Sequence, residues 1–153
     1  MLTIAPATLA DLAPLAELLA VLFAQEAEFT PDRARQERAL AMIIGAPQLG
    51  TILVARAGDQ VLAMVSLLYT VSTAEGGRVC WLEDLVVRPP HRGQGIGARL
   101  LGQAIAVARA QGCTRISLLT DRVNEGARRF YARHGFAESP MLALRLRIGA
   151  GPA

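Results

Sequence analysis

The sequence predicts a mixed α/β fold (α+β in composition): a mixed central sheet of six to seven strands flanked by helices on both faces. Three observations predict it. Leucines recur at three- and four-residue spacings near the start, apolar runs follow one another between residues 51 and 87 with turn residues between them, and beyond residue 88 apolar runs alternate with helical patterns. An antiparallel meander that continues into strand-helix-strand units puts both kinds of pairing in one sheet. At 153 residues and 52 % hydrophobic composition, the chain is expected to fold as one domain over residues 1–153 with a single core.

Each element has its own signal. Leu2 to Pro6 reads as a short strand. Thr8 with Asp11 resembles a helix-start box, after which Leu12, Leu15, Leu18, Leu19 and Leu22 mark one helical face. A second helix is expected from Pro31 to Ile44 with Leu40 and Ile43 inward, closed by the turn from Gly45 to Gly50. Thr51 to Arg56, Val61 to Ser72 and Val79 to Val87 read as successive strands, joined by Ala57-Gly58-Asp59-Gln60 and by Thr73 to Arg78. An amphipathic helix to Ala110 turns Ile96, Leu100, Leu101, Ala104 and Ile105 inward. A buried strand from Ile116 to Leu119, a helix from Asn124 to His134 and a last strand from Met141 to Ile148 complete the pattern.

Between the Val79–Val87 strand and the helix that follows lies Arg92-Gly93-Gln94-Gly95-Ile96-Gly97. Glycines there let backbone approach a ligand, and the next helix offers free N–H groups and the positive end of its dipole, so the turn suits a phosphate. A P-loop is excluded, because no Gly-Lys-Ser/Thr is present and the chain has no lysine. A dinucleotide fingerprint fits loosely, since the turn follows the fourth strand and Asp121 lies 28 positions after Gly93, against about 20 in that motif. The third reading is a loop for the pyrophosphate of an acyl-CoA.

The surroundings decide for the third. Arg92, Gly95 and Gly97 fill the Arg/Gln-x-x-Gly-x-Gly/Ala motif, and Asn124, Phe130-Tyr131 and Gly135-Phe136 follow as an Asn, a Phe-Tyr pair and a Gly-Phe. From Trp81 to Phe136 the chain resembles the GNAT family of N-acetyltransferases, with both signatures in order. The resemblance implies a GNAT-like fold, acetyl-CoA as acetyl donor, and transfer by direct attack of a primary amine, expected to be small and cationic. Other acceptors, a protein N-terminus or lysine among them, stay open, as does a module that binds CoA without turnover. A homodimer is also implied, which the apolar segments do not mark out.

The resemblance distributes roles. Backbone groups of Leu85, Val86 and Val87 would meet the pantetheine, and the amides from Gly93 through Gln94, Gly95, Ile96 and Gly97 to Ala98 the pyrophosphate; Arg92 either reaches a phosphate or braces the turn. Asn124 lies seven residues before Tyr131, two helical turns, so the two share a face. Tyr131 is the expected acid for the departing thiolate, because a phenol of pKa about 10 donates to a thiolate of pKa about 8.5 at little cost. Glu83 stands where lysine acetyltransferases of the family carry a base; a carboxylate of pKa about 4.3 needs a water relay or a perturbed site to deprotonate an ammonium near 10.4. Asp84 points to the opposite face unless a bulge intervenes, and Glu83-Asp84 resembles the acidic pair of the polyamine acetyltransferases. Glu26 and Glu28, before the second helix, extend the expected acceptor surface, with solvated loop carboxylates as the plainer reading.

Composition sets the remaining bounds. All 16 basic residues are arginine. Residues 1–87 carry 10 acidic and 5 basic side chains, net −5, and residues 88–153 carry 3 and 11, net +8, so the half that holds the loop attracts a polyanion. The net charge of +3 and few aromatics argue against nucleic acid as partner. No apolar run approaches the roughly 18 residues of a membrane span and no leader pattern opens the chain, so the expectation is a cytoplasmic protein without membrane contact. Cys80 and Cys113 lack any CxxC or His-rich setting, so no metal is expected. His91 and His134 are given no catalytic role.

Overall fold

A computed structural model describes residues 1–26 and 30–149. A compact first unit spans Met1–Leu118, and a second, smaller one begins at Leu119.

The first unit is built on one five-stranded sheet in the order β1 (Leu2–Pro6), β2 (Gly50–Ala57), β3 (Gln60–Ser72), β4 (Gly77–Val87) and β5 (Ile116–Ser117). β1 to β4 pair antiparallel, and β4 pairs parallel with β5. The mixed sheet is as expected; its strand number is not, being five instead of six to seven. Met141 to Ile148 form no strand. Alternation in that stretch says which face a strand would bury but supplies no ladder, and Leu142, Leu144, Leu146 and Ile148 are at least 76 % exposed.

Helices cover both faces of this sheet. The Thr8 backbone N–H donates to Asp11 Oδ2 at 2.9 Å, and the turn leads into α1 (Leu12–Gln25). Asp11 is buried, so its charge needs a partner, and Arg56 Nη2 donates to both its oxygens at 3.1 Å, tying the helix start to β2. α2 (Arg33–Ile44) starts two residues later than expected, where Asp32 Oδ1 accepts from the Arg35 amide. Leu15, Leu18, Leu19 and Leu40 from these helices meet Ile52, Val54, Met64 and Val86 of the sheet. The alternate residues Leu53, Ala55, Val65 and Leu67, also buried, line the other face, where α3 (Ile96–Ala110) packs with Leu100, Leu101, Ala104 and Ala108. The second unit holds α4 (Glu125–Arg133), whose start is capped by Asn124.

Candidate active site

The site in the first unit begins with an extra residue in β4. Ser66 pairs with Glu83 and Met64 with Val86, so Val65 alone faces both Asp84 and Leu85. Asp84 takes the strain of this bulge with φ +54°, the single positive φ among the described non-glycine residues. Aspartate tolerates that conformation better than most side chains. The bulge foreseen as an exception is present, and the face that Trp81 and Glu83 share before it passes to Val86 after it. Burial, then the charges of Glu83 and Glu26, push the Asp84 carboxyl up to about 7. Glu26 therefore lies within electrostatic reach of Asp84; Glu28 lies outside the described residues.

The parallel pairing of β4 is short. The β4–β5 ladder holds two pairs, Cys80 with Ile116 and Trp81 with Ser117, and ends there, while β4 continues through Leu85, Val86 and Val87. Two arginines fix its far end. Arg88 donates from Nε to the Val61 carbonyl at 2.7 Å and from Nη2 to Glu17 at 3.0 Å, and Arg92 Nε donates to the Val87 carbonyl at 3.0 Å. Arg92 thus braces the turn, with its terminal nitrogens left to point elsewhere. Arg88 carried no sequence signal, since its function is to hold backbone.

Beyond Arg92 the turn runs into α3. Gly93 and Gly95 have φ +77° and +80°, and Gly95 is the residue that precedes the first turn of the helix. A Cβ built on either meets nothing within 4 Å, so open space lies over the loop. The amides of Ile96, Gly97 and Ala98 belong to the first helical turn and have no intrahelical acceptor, while Arg99 N already bonds the Gly95 carbonyl at 3.1 Å. This is a cradle for a bound oxyanion, and the residues present fit a pyrophosphate. On its flank a cavity of about 300 Å³ is lined by His91, Gln94, Ile96 and Arg99 together with Met1, Leu2, Ala57 and Leu62.

In the second unit the Asn124 side-chain oxygen accepts from the Ala127 amide at 3.1 Å, which leaves its NH₂ for other partners. Tyr131 sits in an aromatic cluster, 5.3 Å from Phe130 and 5.5 Å from Phe136 between ring centres. Burial pushes its phenol up to about 12, so it is protonated throughout the physiological range. His134 Nδ1 lies 2.8 Å from the Phe130 carbonyl and serves the helix end.

Two residues of the site escaped the sequence reading. Trp81, taken only as the start of an apolar run, is 38 % exposed, and Ser66 is buried with a hydroxyl that has no hydrogen-bond partner. The signal for Trp81 was its spacing of two from Glu83, which puts both on one face of a strand. Burial, then the neighbouring Cys113 thiol, push the Cys80 thiol up to about 12, as suits a cysteine of the core. Among the described residues no group of three or more His, Cys, Asp or Glu side chains is arranged to hold a metal, and no helix is long and apolar enough to cross a membrane.

Residues 14–136 match the model of the acetyltransferase (GNAT) family. The chain is 36 % identical over 80 residues to an aminoalkylphosphonate N-acetyltransferase of Salmonella typhimurium, covering 52 % of either protein. It is 38 % identical over 52 residues to a thialysine N-epsilon-acetyltransferase of Sus scrofa, covering 34 % of this chain and 31 % of that one. The chain thus spans about half or less of the curated relatives it matches. The fold is that of a predicted acetyltransferase with acetyl-CoA from Clostridium acetobutylicum, with a TM-score of 0.78, 19 % identity and coverage of 97 % of both chains.

Proposed function

The chain belongs to the acetyltransferase (GNAT) family, and from that premise we propose that it transfers an acetyl group from acetyl-CoA to a small, cationic primary amine by direct attack. The observation that carries this reading is the join of a strand that runs on beyond its two-pair parallel ladder to a glycine turn with unbonded helix-start amides. Acetyl-CoA supplies the activated acetyl group as a thioester. Backbone groups of Leu85, Val86 and Val87 align it, the amides from Gly93 to Ala98 hold its pyrophosphate, and the Asn124 NH₂ adds a contact.

Proton traffic falls to three side chains. Glu83 and Asp84, with Glu26 nearby, draw the ammonium form of the acceptor. Proton acceptance is shared by this pair, with Asp84 as the titrating member, because a carboxyl pushed up to about 7 is a far better base than an ordinary carboxylate. The freed nitrogen lone pair forms the new C–N bond as the C–S bond breaks, the second proton of the nitrogen passes to the departing sulfur to give the CoA thiol, and Tyr131 donates a hydrogen bond to that sulfur. A phenol at about 12 lies above a thiol of about 8.5, so Tyr131 keeps its proton and its hydrogen bond stabilises the charge that develops on sulfur. The reading carries with it a single catalytic domain over residues 1–153, a cytoplasmic homodimer and no nucleic-acid, membrane or metal partner.

Release of CoA across a panel of amines tests it. Tyr131→Phe is expected to lower kcat about 100-fold where chemistry limits the rate, the scale of losing one hydrogen-bond donor to developing charge. Full activity in that variant removes this role of Tyr131. Thermal stabilisation by acetyl-CoA without CoA release from any amine makes the protein a binding module instead.

A further inference from the structure

The α1–α2 face of β4 carries more than an acidic pair. Register places Trp81 opposite Leu68, and Glu83 opposite Ser66. Ser66 is in turn the partner of Ile52, whose side chain packs with α1 and α2, so Ser66, Glu83 and Trp81 all look to that face. Leu82 between them is 2 % exposed and points the other way. An indole and a carboxylate two residues apart on one face, both open to solvent, form a surface of definite chemistry: the ring attracts a cation flanked by methylenes, and the carboxylate anchors its charge.

Ser66 supplies independent support. Its hydroxyl is 1 % exposed and unpaired among apolar strand residues, an arrangement that native cores avoid and that alanine would relieve. Directly opposed residues of antiparallel strands bring their Cβ atoms within about 5 Å, so a hydroxyl here reaches the carboxylate of its partner after a side-chain rotation. Glu83 is the side chain so placed.

We propose that Trp81 is the specificity-determining residue for the acceptor, selecting amines whose positive charge sits on an aliphatic body and rejecting those that bear an anionic group, and that Ser66 positions Glu83 by donating to its carboxylate when the amine is bound. This rests on the acetyl-transfer reading for its biological meaning, but not for its test.

Trp81 is the chain's one tryptophan, so its fluorescence reports occupancy without turnover. Titration of the intact protein with an alkyl diamine is expected to give a saturable change, and an aminoalkylphosphonate none. In CoA-release assays Trp81→Ala raises KM for the diamine about tenfold and Trp81→Phe only two- to threefold, on the scale of a single cation–π contact, with KM for acetyl-CoA unmoved. Ser66→Ala keeps or raises Tm, because an unpaired hydroxyl is lost, yet lowers kcat/KM for the diamine about fivefold and displaces the pH profile; Ser66→Thr restores part of it. Equal response to diamine and phosphonate, or a Trp81→Ala variant with unchanged diamine KM, overturns the specificity role. Ser66→Ala with unchanged kcat/KM and pH profile overturns the positioning role. If no amine releases CoA, the transferase reading falls, and the titration alone decides whether a cation site exists.

Discussion

Asp84 combines a left-handed backbone with a carboxyl pushed up to about 7 by burial and by Glu83 and Glu26. In an unfolded chain the same group titrates near 3.9. Between these values the native protein holds a proton that the unfolded chain has released, so stability falls as pH rises from about 4 to 7 and stays lower above. Asp84→Asn removes this term. It is expected to flatten the pH dependence of Tm in that window and to raise Tm at pH 8 by several degrees, since about 1 kcal/mol moves Tm by roughly 2–4 °C in a chain of this size. Activity near neutral pH falls in the same variant. A Tm that climbs from pH 4 to 7 in the native protein, measured by differential scanning fluorimetry, contradicts the sign. The acidic pair itself was legible from Glu83-Asp84, but the proton preference of Asp84 was not, because it arises from burial and from a bulge that no glycine announces.

Among the elements, the turn from β4 into α3 was the most legible, because Gly93 and Gly95 occupy positive φ and a helix follows directly, from Ile96 to Ala110. Gly95→Ala forces a side chain into the left-handed region at a cost of about 1–2 kcal/mol and thrusts a methyl over the loop amides. Lower Tm and an acetyl-CoA affinity reduced about tenfold are expected together. Gly102 provides the contrast. It lies inside α3 with no atom within 4 Å of a built Cβ, so Gly102→Ala stabilises by about 0.5–1 kcal/mol and leaves affinity alone. Isothermal titration with acetyl-CoA and thermal melts of both variants separate the two roles of glycine. The Met141–Ile148 strand was misread for the opposite reason: its leucines alternate as a strand's do, and pairing depends on a partner that local sequence does not describe.

At the scale of the whole chain, charge is divided as −5 over residues 1–87 and +8 over 88–153, and the glycine turn belongs to the basic part. Attraction of a polyanionic donor by such a field weakens as the Debye length contracts from about 10 Å at 0.1 M salt to about 3 Å at 1 M. The acetyl-CoA association rate is expected to fall with added salt in stopped-flow measurements, with a smaller effect on dissociation. Acetyl-CoA at 100 times its Kd adds about 2.7 kcal/mol to stability, a rise in Tm of roughly 5–10 °C. The extra residue at Asp84 has a consequence for how this protein changes over time. It can be lost from β4 without changing which face Trp81, Glu83 and Val86 share. Deletion of Asp84 would leave Glu83, Leu85 and Val86 opposite Ser66, Val65 and Met64 in plain alternation, so it would remove the raised carboxyl while every other side chain of the strand kept its face.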